Sequence, residues 1–193
     1  MPKIVNHFAR RNEIVDAYLQ LAGRRDIASL SSRALAAELH VSNSLLWRYF
    51  EDMDDLLATA YRTVIRNVDD RIMFAVHDLH GLDAIRVMIG ELLPLTPTSR
   101  AESLVVMRFW GLEVTQGSTI ANDLHETEAW TQLLARFIDE AVSADDIKTS
   151  QSTADLAAIM MALINDAQIA YAAGGDVTAA KRTAALIERL LHA

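Results

Sequence analysis

The sequence predicts an all-α protein in two parts, a three-helix unit over residues 1–52 and a larger helical body over residues 53–193. Three observations carry this. Apolar residues recur at intervals of three and four along nearly the whole chain, no segment alternates convincingly with the two-residue period of a strand, and residues that start or stop helices stand between the periodic stretches. With 193 residues, 51% of them hydrophobic, the chain can also bury a sizeable core.

The first helix is predicted over Arg11 to Arg24, with Ile14, Tyr18, Leu21 and Ala22 on one face. Leu35, Ala36 and Leu39 form a second apolar stripe, and Val41, Leu45, Leu46 and Phe50 a third, leaving only His40 to Ser42 for the turn between them. Ser42 is a natural N-cap. Asp52 can cap the next helix, running from Met53 toward His80 with Gly81 as its stop. Gly81 to Leu93 gives another helix, ended by Pro94 and Pro97. Ser99 with Glu102 makes a capping-box pattern for a helix reaching Gln116. Ile120, Leu124, Leu134, Phe137, Ile138 and Ala141 mark a helix over 119–142, and Ser143 to Gln151 reads as a loop. The last two helices, 153–173 and 177–191, are separated by Gly174, Gly175 and the capping candidate Asp176. The first of the pair is apolar nearly all round, so it must be covered on every side, and its small residues suit the close approach of a partner subunit.

Two short helices joined by a tight turn, with a polar, aromatic and basic outer face on the second, have the form of a helix-turn-helix that reads DNA. On a helix starting at Ser42, Asn43, Ser44, Trp47 and Arg48 lie opposite the apolar stripe. Asn can pair with adenine and Arg with guanine or a phosphate, while an amide or hydroxyl at the helix start suits a backbone phosphate. The candidate DNA-contacting set is Ser32, Arg33, Ser42, Asn43, Ser44, Trp47, Arg48 and Tyr49.

The segment LAAELHVSNSLLWRYFEDMDDLL resembles the N-terminal region of the TetR family of bacterial regulators, the likeness extending over 11–57. Leu35-Ala36, Val41-Ser42, Leu46-Trp47, Tyr49-Phe50 and Leu56-Leu57 fall where that family has its Leu/Ile-Ala, Val-Ser, Leu-aromatic, aromatic-Phe and paired-leucine positions. His40 and Ser44 stand where Gly is usual, and Met53 where a Lys commonly opens the fourth helix. The charge of that Lys then falls to Lys3, Arg10, Arg11, Arg33 or Arg48, and His40 must tolerate a left-handed turn. The resemblance implies a DNA-binding domain followed by a ligand-binding and dimerisation domain, with a homodimer formed by the last two long helices and a palindromic operator.

Charge is distributed as such a protein needs. Residues 1–50 carry seven basic and four acidic side chains, a balance of +3, whereas the remainder carries 11 and 22, a balance of −11. With no cysteine, the chain has neither disulfides nor thiolate metal sites. The N-terminus lacks a signal-like apolar stretch and no apolar run is long enough to span a bilayer, so a cytoplasmic protein without a membrane partner is expected.

No catalytic constellation stands out, and neither an enzyme, a cofactor nor a metal is expected. The HETEA run at His125 has Ala129 where a zinc protease needs its second ligand, and no His follows Glu at the di-iron interval. His77 and His80 could share a helix face but lack evident further ligands. The body is expected instead to bind a small-molecule effector through Met88, Met107, Trp110, Trp130, Met161, Asn165 and Asp166, with Phe109, Met160 and Gln168 nearby. Asp166 has three candidate partners: Arg108, the dimer interface, or a cationic ligand stacked on Trp110 or Trp130. The reading is a ligand-responsive regulator, most simply a repressor released by an inducer; the alternative is a helical ligand-binding or adaptor protein that no longer binds DNA.

Overall fold

The computed structural model describes residues 7–24, 30–116 and 125–192, and these are helices and their connections. The elements are α1 (His7–Gly23), α2 (Ser32–Glu38), α3 (Asn43–Leu46), α4 (Met53–Ala75), α5 (Gly81–Leu92), α6 (Pro97–Gln116), α7 (His125–Ser143), α8 (Thr153–Ala172) and α9 (Val177–Leu191). Lys3, Ile120 and Leu124 lie outside the described residues. One core runs through the molecule: α1 packs on α2, α4 and α6, α6 on α4 and α8, and α7 on α5 and α8, with α9 against α8.

Several helix ends follow from local chemistry. Ser31 caps α2 by accepting from the Ala34 N–H at 3.2 Å. Asp52 accepts from the N–H groups of Asp54 and Asp55, both at 2.9 Å, and Asp176 from that of Thr178 at 2.8 Å. His40 adopts φ +53°, so a His at the family's glycine position takes the left-handed turn conformation.

Three boundaries differ from the sequence-based expectation. The reading helix α3 is a single turn, because Arg48 and Tyr49 donate back three residues, to Leu45 at 3.2 Å and Leu46 at 2.9 Å, tightening the chain into 3₁₀-type turns. Ser42 occupies the cap position with no cap hydrogen bond; its hydroxyl lies 3.1 Å from that of Ser44. α4 ends at Ala75, short of the expected His80, while α5 begins at Gly81 as expected. α6 begins at Pro97, where a missing N–H costs nothing. Its cap is a Thr96–Ser99 exchange, the Thr96 hydroxyl accepting from Ser99 N–H at 3.1 Å and the Ser99 hydroxyl from Thr96 N–H at 3.0 Å. Glu102 is thereby left for a different role.

Gly81 needs to be glycine on two counts. It has φ +51°, and a Cβ there would lie 3.3 Å from the Ala141 Cα of α7, while its N–H donates to Glu140 Oε2 at 3.0 Å. Gly81→Ala is expected to destabilise the protein by about 1–2 kcal/mol, the cost of a left-handed L-residue, read from urea denaturation at constant slope.

Candidate DNA interface and effector pocket

The helix-turn-helix presents its expected face to solvent. Arg33, Ser42, Asn43, Ser44, Trp47 and Arg48 are exposed, and Ser32 and Tyr49 are half-buried. Beneath them Leu35, Ala36, Leu46 and Phe50 are buried, with Leu39, Val41 and Leu45 partly so.

The available cations are fewer than the sequence suggested. Arg10 is paired with Glu13 at 2.5 Å, and Arg24 reaches Glu38 through two bonds of 2.8 and 2.7 Å that tie the end of α1 to α2. Arg11 is half-buried. It donates to the Tyr49 carbonyl and, at 3.2 Å, to Thr59 Oγ1, lies 3.7 Å from Asp55, and covers the Phe50 ring at 4.2 Å. Arg33 and Arg48 are exposed and form no ion pair among the described residues. Where a Lys is usual, Met53 instead shares a surface hollow with Trp47, Glu51, Asp52 and Asp54.

The body contains a small pocket between α4, α5, α6, α7 and α8, with room for a few waters. Trp110, Trp130, Met161 and Asn165, all expected on sequence grounds, line it, as does Gln168, whose amide donates to Leu92 O at 2.9 Å. Met88, Met107 and Asp166 do not: Met88 is fully buried in the core and Met107 half-buried. Asp166 is exposed on α8 and forms no ion pair with Arg108.

The pocket's charge comes from residues that sequence reasoning missed. Its charged lining residues are both carboxylates, Glu91 of α5 and Glu102 of α6. Each is bound by Arg71 of α4: Nε donates to Glu91 at 3.0 Å, and the two terminal nitrogens donate to the two Glu102 oxygens at 2.9 and 2.8 Å. The Glu102 side chain is only 9% exposed. These bonds raise the Arg71 pKa, so the guanidinium remains charged. The two carboxylates lie 20 and 31 positions from Arg71, so no local spacing marks them. The two indoles differ. Trp130 Nε1 donates to Asp69 at 3.0 Å, joining α7 to α4, whereas the Trp110 Nε1 is buried without a partner among the described residues. An acceptor atom on a bound molecule would satisfy it.

His77 lies 3.2 Å from Asp78 and His80 3.6 Å from Glu140, all exposed or half-buried, and among the described residues no three His, Asp or Glu side chains are grouped to hold a metal. Among the same residues, no helix is long and apolar enough to cross a membrane.

Residues 14–60 match the family model described as bacterial regulatory proteins, tetR family. The chain is similar to the HTH-type transcriptional regulator PksA of Bacillus subtilis, 32% identical over 111 residues, which cover 57% of this chain and about half (52%) of that protein. It is also similar to the HTH-type transcriptional regulator BetI of Brucella suis, 26% identical over 97% of this chain and 92% of that one. Among solved structures, a transcriptional regulator from Saccharomonospora viridis in complex with choline superposes with a TM-score of 0.80 at 20% identity, covering 94% of each chain. A TetR-family regulator from Agrobacterium tumefaciens superposes at 0.76 and 15% identity, covering 97% of this chain and 100% of that one.

Proposed function

Because the chain belongs to the TetR family of bacterial transcriptional regulators, we propose that it is a cytoplasmic repressor: a homodimer that reads a palindromic operator and releases it when a small-molecule inducer enters the pocket. The observation that carries this reading is the exposed face of Asn43, Trp47 and Arg48, within the segment that matches the family, over a buried Leu35, Leu46 and Phe50 core. Two such faces related by a twofold axis address two half-sites of a palindrome.

The pocket chemistry favours an organic cation of choline's class. Its charged lining residues are both acidic, two tryptophans offer aromatic faces, and the Trp110 N–H waits for an acceptor such as a hydroxyl. The choline complex of a similarly folded regulator points to the same chemistry. The carboxylates in this reading are Glu91 and Glu102, not Asp166. Ligand and DNA oppose each other thermodynamically, so whatever weakens DNA binding is itself bound less tightly by the DNA complex.

Selection from a random duplex library tests the DNA half. The wild-type protein is expected to enrich a palindrome, and an Asn43→Ala/Trp47→Ala/Arg48→Ala variant to enrich none. No enrichment by a folded dimer at low salt, with and without choline, would favour a ligand-binding adaptor, a reading to which the acidic hollow beside Trp47 lends weight. The ligand half is tested with choline and its uncharged isostere 3,3-dimethylbutanol. Choline is expected to bind at least tenfold more tightly; equal binding would remove charge from the account.

A further inference from the structure

We infer that Arg71 is the pocket's resident cation, and that an incoming organic cation acts by displacing it from Glu91 and Glu102, which unlatches α4 from α5 and α6. The inference rests on the reading of the pocket as an effector site and adds how occupancy reaches the DNA-binding unit.

Three features carry it. First, both carboxylates that line the pocket are already bound by one guanidinium, through three of its N–H donors. A ligand cation seeking that charge competes with Arg71 for the same oxygens. Second, Glu102 is too buried to be left alone: a carboxylate removed from water needs a cationic partner, so a neutral molecule of the same shape cannot release Arg71. Selectivity for charge is thus built into the exchange. Third, the bond to Glu102 is a two-pronged fork whose geometry holds only in one arrangement, so partial displacement loses both prongs together and the latch has two states.

The mechanical consequence lies in α4. Arg71 is four residues before the end of this helix, and the other end begins at Met53, just beyond the buried Phe50 of the reading unit. Trp130 holds the same stretch through Asp69. Pocket walls from α5, α6 and α7 therefore grip α4 at Asp69 and Arg71, and a cation settling between Trp130 and the carboxylates acts on both grips.

The test is a choline titration by calorimetry on the full-length protein, comparing wild type with Arg71→Met, Arg71→Lys and Arg66→Met. The last removes a charge from the same helix at an exposed residue whose guanidinium lies near Thr63 and not on the two carboxylates. Arg71→Met, relieved of its competitor, is expected to bind choline at least tenfold more tightly than wild type. Arg71→Lys, whose ammonium cannot form the fork, is expected in between, and it decides the matter if circular dichroism shows Arg71→Met to be misfolded. Arg66→Met is expected to match wild type. Hydrogen exchange over residues 68–75 supplies the second readout: choline should speed exchange there in wild type, and Arg71→Met should exchange fast without it.

Choline affinity unchanged or weakened in the Arg71 variants, an equal gain in Arg66→Met, or choline protection of residues 68–75 in wild type would each overturn the latch while leaving the effector site standing. Absence of choline binding by all four proteins would overturn the organic-cation reading together with the latch.

Discussion

Two charges on the outward face of α8, Ile159→Glu with Ile169→Glu, are expected to leave a folded monomer that no longer enriches a palindrome. α8 buries Leu156, Ala157, Met160, Met161, Ile164, Ala167 and Tyr171 against its own chain. Ala158, Ile159, Ala162 and Ile169 remain exposed on the other side, with Ile159 at 42% and Ile169 at 53%. A stripe of this composition on a helix that is apolar all round asks for a second surface to cover it. α9 extends the face with Leu186 and carries exposed Arg182 and Arg189, while α8 carries exposed Asp166. A twofold partner can therefore bring carboxylate and guanidinium groups together around an apolar centre. Burying two unpaired carboxylates per protomer costs several kcal/mol, and each ~1.4 kcal/mol is a factor of ten, so dimer dissociation should rise more than a thousandfold. Sedimentation velocity at micromolar protein reads the mass, and circular dichroism the fold. A variant that sediments as a dimer places the interface elsewhere.

The parts of this molecule written in local spacing were legible in the sequence. The stripes Leu35-Ala36-Leu39 and Val41-Leu45-Leu46-Phe50 placed the helix-turn-helix because burial of one helix face imposes a three-and-four rhythm on any sequence that achieves it. Asp52 and Asp176 marked helix starts because a capping carboxylate bonds N–H groups two or three residues away. Other features depended on contacts that spacing does not encode. Gly81 looked like a stop after α4, yet its conformation serves the approach of Ala141, sixty residues on. Glu102 looked like a capping partner for Ser99, but Thr96 already filled that role, and the carboxylate was instead recruited by Arg71 from a helix thirty-one residues earlier. The pocket was half legible for the same reason. Trp110, Trp130, Met161 and Asn165 advertise themselves by type, whereas Glu91 and Glu102 resemble any charged residue on a helix surface until the fold brings them to one wall. Asp166 does not line the pocket, because an acid within an apolar helix is a buried acid only if that side of the helix is covered within the chain, and its interface reading stays open.

Arg11→Met is expected to weaken operator binding by tenfold or more without altering its salt dependence, although Arg11 is a cation in the DNA-binding domain. The sequence offers it as a phosphate contact, but the fold engages its half-buried guanidinium with the Tyr49 carbonyl, Thr59 and Asp55 and over the Phe50 ring. Those partners lie at the end of the reading turn and in the first two turns of α4. Arg11 therefore fixes the orientation of Trp47 and Arg48 relative to the helix that leads to the body. Methionine preserves the apolar stem but removes charge-assisted bonds contributing roughly 1.5–3 kcal/mol, so the urea midpoint should fall as well. Arg48→Ala is the contrasting case. Arg48 is exposed and forms no ion pair among the described residues, so its loss should leave stability nearly unchanged. A phosphate contact made by Arg48 should disappear from both protomers, flattening the dependence of log affinity on log salt by about 1 per protomer. A stable Arg11→Met protein with a flattened salt slope would return Arg11 to the phosphate backbone. An unchanged slope with lowered stability would make it the fastener that lets a four-residue helix serve as a reading head.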